Sequence, residues 1–221
     1  MPFMRKTLVC IFAHPDDEAF GPGGTIAKLS QTHDVYILCA TKGEAGQNSS
    51  KEQKSLGTIR SKELLQSAKV LGVKKVYFLG FKDGTLCNNL YHKLAAKIGE
   101  KLEELKPETI LIYELRGVSG HIDHIAVSLV SMFLFYKLAF IKTVLQYCSK
   151  EAYTKFMKDY YIYFPPGLKR SEADKIIDYA DVWETRVKAM QQHKSQQKDV
   201  AFILNIQQHL PKEDYFLVVK K

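Results

Sequence analysis

The sequence predicts an α/β protein of the Rossmann-like, doubly wound type: a mainly parallel sheet with helices on both faces, as a single domain over residues 1–221. Three observations lead there. Short apolar, β-branched runs without polar alternation recur along the chain, as strands buried on both faces require. Helical patterns with apolar residues three and four apart separate these runs. At 221 residues, with no linker-like shift in composition, one α/β domain fits better than two small ones.

The strand runs are "TLVCIFA" (7–13), "DVYILCAT" (34–41), "KVYFLG" (75–80) and "ETILIYE" (108–114). Between them lie helical segments over 23–31, 58–72 and 91–106, the last stopping before Pro107. Such alternation implies right-handed crossovers. A further helix runs from near His121 to about Phe140, followed by late strands at 143–148 and 160–164, a break at Pro165, Pro166 and Gly167, a helix with an acidic first turn over 171–193, and a last strand over 215–221.

Composition is that of an ordinary globular chain, with 46% hydrophobic and 25% charged residues. The net charge of +8 favours acidic partners, but the lysines are scattered and form no basic block flanked by stacking aromatics, so no nucleic acid is expected. The field they create can still help collect an anionic substrate. Cys10, Cys39, Cys87 and Cys148 lie far apart without a C-x-x-C pair, as buried free thiols in a reducing cytoplasm would. "MPFMRKTLVCIFA" carries no small-residue cleavage site, which argues against a signal peptide and for a cytoplasmic location. The apolar stretch at 125–136 is too short to span a bilayer and suits a buried helix; peripheral membrane contact is the weaker alternative.

Chemistry concentrates in "HPDDE", residues 14–18. His14 and Asp17 flank a strand-to-helix turn that Pro15 presets, so imidazole and carboxylate can converge on one cation. In "GHIDH" (120–124), His121 and His124 share a face at a helix start. Two histidines and one carboxylate are a catalytic zinc set, leaving a fourth position for water. Asp16 is then the candidate general base, His121 as imidazolium the stabiliser of a developing oxyanion, and Asp123 the group that orients His121 and raises its pKa. Either motif alone also reads as a polar turn or a solvated helix face; their joint position after strand ends favours the metal.

"AHPDDE" followed by "GPGGT", "TKGEAG", "LGTIRSKELLQSAKVLGV", "GHIDH" and "HKSQ" resembles, in order over about residues 7–197, the zinc-dependent PIG-L/LmbE-type deacetylases of N-acetylglucosamine-containing molecules. The resemblance implies His14, Asp17 and His124 as ligands of Zn2+ (Fe2+ or another divalent metal being the alternative), Asp16 as base, and His121 backed by Asp123 as electrostatic partner. It further implies that Arg60 and Asp83 contact sugar hydroxyls or an attached phosphate, and that the chain assembles into trimers or hexamers. Ile122 stands where the family usually has proline, and "ELRG" (114–117) where it often has "DPxG".

The expected function is therefore metal-dependent hydrolysis of the acetamide of an acetylated amino-sugar conjugate, with Asp16 or His121 protonating the leaving amine. The alternatives are a metal-dependent phosphoesterase and a non-catalytic nucleotide- or nucleic-acid-binding module. Glu18 is read as a support for a ligand or a first-turn acid, Gly21, Gly23 and Gly24 as turn glycines, and His193 as a helix C-terminal cap or a contributor to the pocket.

Overall fold

The first apolar run forms β1 (Lys6–Phe12), and its side chains divide between two cores: Leu8, Cys10 and Phe12 enter one, Val9 and Ile11 the other. Burial on both faces explains why the run carries no polar alternation. The computed structural model describes residues 5–47, 55–157 and 163–221. In chain order β1 is followed by α1 (Asp17–Phe20), α2 (Gly23–Leu29), β2 (His33–Cys39), α3 (Leu56–Val70), β3 (Lys75–Phe78), α4 (Tyr91–Leu105) and β4 (Thr109–Tyr113). Then come α5 (Gly117–Gly120), α6 (Ile122–Lys137), β5 (Thr143–Cys148), α7 (Glu151–Thr154), β6 (Lys175–Asp178), α8 (Trp183–Met190), α9 (Gln197–Gln207) and β7 (Glu213–Lys220).

The sheet order is β3-β2-β1-β4-β5-β7-β6. Pairings from β3 to β5 are all parallel, whereas β7 runs antiparallel to both β5 and β6. One core packs residues of α2, α3 and α8 against one face, and the other packs α4 and α6 against the opposite face. The mainly parallel, doubly wound sheet expected from the sequence is thus present. The order reverses between β1 and β4, so the carboxyl ends of these two strands open a crevice of the kind where α/β sheets bind ligands.

Three segments differ from expectation. The helix expected over 171–193 is broken into β6 and α8, because residues 175–178 pair with 213–216 and Asp174 Oδ2 accepts a hydrogen bond from Val218 N at 2.8 Å. The apolar spacing near 176 suits a helix and an edge strand alike; the distant β7 decides. α9 was not expected at all. The strand expected over 160–164 falls largely outside the described residues, and Tyr163 and Phe164 are not in a strand.

α6 is buried along one side only: Ile122, Leu129, Phe133 and Tyr136 are exposed on the other. No helix among the described residues is long and apolar enough to cross a membrane. Cys10, Cys39, Cys87 and Cys148 are free, with Cys87 alone exposed.

Gly23 and Gly24 lie in α2 rather than in a turn, and their reason is steric. A Cβ on Gly24 would stand 2.1–2.4 Å from the Tyr179 ring, whose buried face closes the core between α2 and β6. Gly24→Ala is therefore expected to cost about 1–3 kcal/mol of unfolding free energy by overpacking, measured by denaturant melts. An unchanged midpoint would refute this contact.

Candidate metal centre

The turn after β1 is held by its own acids. Asp17 Oδ2 accepts from the backbone N–H groups of Ala13 (3.1 Å) and His14 (2.9 Å), folding the carboxylate back over the strand end. Tyr113, at the end of β4, donates its hydroxyl to Asp17 O at 2.9 Å. These bonds join the two strand ends at the switch point. Asp16, between them, takes a left-handed backbone with φ of 100°, a conformation costing a non-glycine residue about 1–3 kcal/mol.

Three side chains then meet. His14 Nδ1 lies 3.0 Å from His124 Nε2, and His124 Nε2 lies 3.2 Å from Asp17 Oδ1; His14 Nδ1 and Asp17 Oδ2 are 4.0 Å apart. In a tetrahedral zinc site with bonds of about 2.0–2.2 Å, donor atoms stand about 3.3 Å from one another. The outer partners point the same way. His124 Nδ1 is 3.0 Å from Gly117 O, which can only accept, so that nitrogen carries a proton and Nε2 is the one left to serve a metal. His14 Nε2 faces Asp83 Oδ1 at 2.9 Å and Asp123 Oδ2 at 3.3 Å, the carboxylate backing usual for a metal-binding imidazole.

Two ring nitrogens and a carboxylate facing one point need a cation between them, whether a proton or a metal. Without a metal the proton is there. Burial disfavours charge on His14, but hydrogen bonds to Asp123 and Asp83 outweigh it and push the ring up to about 10. Burial likewise opposes ionisation of Asp17, yet His124 and His14 hold its carboxyl far below the usual range. His14, His121 and His124 can also bring ring nitrogens within 4.8 Å of one another, as can His14, Asp83 and Asp123 with their donor atoms.

His121 and Asp123 differ from expectation in one respect. The Asp123 carboxylate accepts from Gly84 N (2.8 Å) and Leu86 N (3.0 Å) and faces His14, while it is the Asp123 backbone N–H that donates to His121 Nδ1 at 3.1 Å. Burial, followed by repulsion from His124 and His14, lowers the pKa of His121. It is therefore a neutral ring with its proton on Nε2, and not an imidazolium raised by Asp123.

Arg60 and Asp83 are turned inward. Arg60 donates to Gly43 O (2.8 Å), Pro15 O (2.5 Å) and Asp16 Oδ2 (2.7 Å), so its guanidinium braces the turn that carries the acids. Asp83 Oδ2 accepts from Ala45 N at 3.0 Å while its other oxygen serves His14; burial opposes its ionisation, and His14 nonetheless brings it down to about 2. Asp16 titrates at about 6, burial raising it and Arg60 pulling against that rise. Arg116 folds back onto Glu114.

Glu63 and Ser67, which carried no expectation, join Arg60 in a buried polar stripe on α3, at the i, i+3, i+7 spacing of one helix face. Ser67 Oγ donates to Glu18 Oε1 at 2.5 Å, and Glu63 accepts from Ser195 N (2.7 Å) and Oγ (2.6 Å). A cavity of about 690 Å3 opens above the three histidines, with Asp16, Tyr113 and Gln196 in its wall.

The sequence family described as GlcNAc-PI de-N-acetylase, PIG-L, matches residues 9–134. A probable N-acetyl-alpha-D-glucosaminyl L-malate deacetylase 2 from Bacillus cereus is 36% identical over 127 residues, 55% of this chain and 57% of that protein, so the match spans little more than half of the relative. Among solved structures, the N,N'-diacetylchitobiose deacetylase of Pyrococcus horikoshii superposes with a TM-score of 0.74 at 23% identity, covering 98% of this chain and 85% of that one. The 4-carboxy-2-hydroxymuconate hydratase of Pseudomonas putida KT2440 does so with 0.73 at 16% identity, covering 98% and 97%. At these identities the superpositions show the fold alone.

The proton on His14 gives a test. At pH 8, below the value of about 10 for this ring, a divalent cation must displace that proton to reach Nδ1. Uptake of one cation is expected to release about one proton, read by calorimetry in buffers of different ionisation enthalpy. Asp83→Asn should weaken uptake about 10–100-fold and Asp17→Asn more. Cation uptake with no proton released would contradict the arrangement.

Proposed function

The chain belongs to the PIG-L family, and from that premise we propose that it is a metal-dependent N-deacetylase, hydrolysing the acetamide of an N-acetylglucosamine-type sugar conjugate to acetate and a free amine. The observation that carries the reading is the meeting of His14, Asp17 and His124 at the floor of a cavity, with the Asp16 carboxylate beside them. In this reading His14, Asp17 and His124 hold the metal, and their nitrogen and oxygen donors suit zinc, with Fe2+ the alternative. When bound, the metal polarises the acetyl carbonyl and acidifies water.

Asp16 receives the proton of the attacking water. A carboxyl near 6 is ionised at neutral pH yet basic enough to accept a proton. The neutral His121 donates from Nε2 to the oxygen on which charge develops, as a fixed dipole rather than a charge. As the carbon–nitrogen bond breaks, the proton gathered by Asp16 passes to the departing amine; His121, its pKa lowered, is neutral and holds no imidazolium proton to give. Arg60 and Asp83 brace Asp16 and His14 in this scheme, and both also line the cavity in which the sugar would sit. The free thiols fit a reducing cytoplasm.

The phosphoesterase and nucleotide-binding alternatives gain no support from the relatives, which are named as deacetylases. Asp16→Asn, assayed for acetate release from N-acetylglucosamine conjugates, is expected to lose about 100- to 10000-fold in kcat while still binding metal. In the unaltered protein, activity should rise with pH through about 6, because only the ionised carboxylate is a base. Full turnover by Asp16→Asn would refute the assignment.

A further inference from the structure

Behind the turn, and outside the cavity wall, lies a pair that the mechanism above does not use. His193 and Glu18 are both fully buried, with His193 Nε2 2.7 Å from Glu18 Oε1. The same Glu18 oxygen accepts from Ser67, and the other, Oε2, accepts from the backbone N–H of Asp16 at 3.0 Å. Asp16 is the residue whose backbone is left-handed, a region that side chains other than glycine avoid and that persists only where its surroundings impose it.

Two grips impose it. Arg60 holds the Asp16 carboxylate and the preceding carbonyl, and Glu18 holds the Asp16 N–H. Glu18 does so with its far oxygen pinned by Ser67 of α3 and by His193, which reaches it from the segment just after α8. The His193 N–H is itself fixed on Met190 O at 3.1 Å, and two residues later Ser195 locks onto Glu63 of α3. The end of α8 is thereby set against the turn that follows β1.

We propose that His193 is a positioning residue: acting through Glu18, it fixes the Asp16 peptide and so aims the carboxylate that receives water's proton. This rests on the deacetylase reading for its effect on rate, but not for its effect on conformation. A buried ion pair kept for stability alone can be replaced by apolar side chains with little loss; a pair that aims a base cannot.

The test uses two variants of the full chain, loaded with metal and assayed on an N-acetylglucosamine conjugate. His193→Gln keeps a donor within reach of Glu18, whereas His193→Leu keeps the bulk and removes the donor. His193→Leu is expected to lower kcat about 30- to 100-fold with KM and bound metal unchanged, and His193→Gln to stay within about 5-fold of the unaltered protein. Crystal structures of the metal-free variants should show Asp16 leaving the left-handed region in His193→Leu and keeping it in His193→Gln.

Unchanged kcat in His193→Leu, a loss carried by KM or by metal content, or a His193→Gln variant as slow as His193→Leu would each overturn the proposal. Should His193→Leu not fold, Ser67→Ala decides, since it removes the second pin from the same oxygen: a 3- to 10-fold fall in kcat at constant KM is expected, and unchanged kcat overturns it. If the unaltered protein releases no acetate, the deacetylase reading fails, and the Asp16 backbone in the two His193 variants still decides the positioning.

Discussion

A chain of contacts, His14 Nδ1 to His124 Nε2 and His124 Nε2 to Asp17 Oδ1, governs how this end of the molecule is built. Each group offers an electron pair, and the arrangement is stable only with a positive charge among them. Their neighbours follow from that demand. Asp83 and Asp123 fix the outward nitrogen of His14, Gly117 fixes that of His124, and two backbone N–H groups satisfy the other Asp17 oxygen. The sheet supplies the proximity, because β1 and β4 are neighbours where the strand order reverses. Residues about a hundred positions apart are thereby brought to one crevice.

A second layer stands behind the first, and its chemistry is unusual for a helix face. α3 turns Arg60, Glu63 and Ser67 into the protein interior, each bonded to a group on a different segment. Buried polar networks of this kind add little net stability when compared with apolar packing. They do impose a single arrangement, since any shift leaves a desolvated charge without its partner. The stripe spans Asp16 at one end and Glu18 at the other, so the helix sets the geometry of the turn in two places. Gln196 extends the same scheme to the cavity wall by donating to Gln47 O at 2.7 Å.

The parts legible in the sequence are those whose physics is local. Strands buried on both faces write themselves as unbroken apolar runs, which is why β1, β2, β4 and β5 stand out within a residue or two of their observed ends. "HPDDE" and "GHIDH" stood out only as a pair placed after strand ends, and the structure brings their side chains into contact. What escaped depended on distant partners. Glu63, Ser67 and His193 look like any polar residues on helical segments until Ser195 and Glu18, each more than a hundred positions away from its partner in two of these pairs, are folded against them. β6 was hidden for the same reason, its identity residing in β7. The bonds of Arg60 to Asp16 and to the Pro15 and Gly43 carbonyls were unreadable because a guanidinium on a helix carries no sign of which way it points.

A hydratase and a deacetylase superpose on the chain almost equally well, with TM-scores of 0.73 and 0.74. The fold alone therefore selects no reaction, which is decided by the side chains standing at the strand ends. Here these include a carboxylate near 6 and a neutral imidazole with its Nδ1 committed to the Asp123 backbone. In the proposed reaction the carboxylate takes a proton from water and returns it to the leaving amine, and the imidazole steadies the oxyanion between the two events. An amide, whose nitrogen leaves only when protonated, needs all three services.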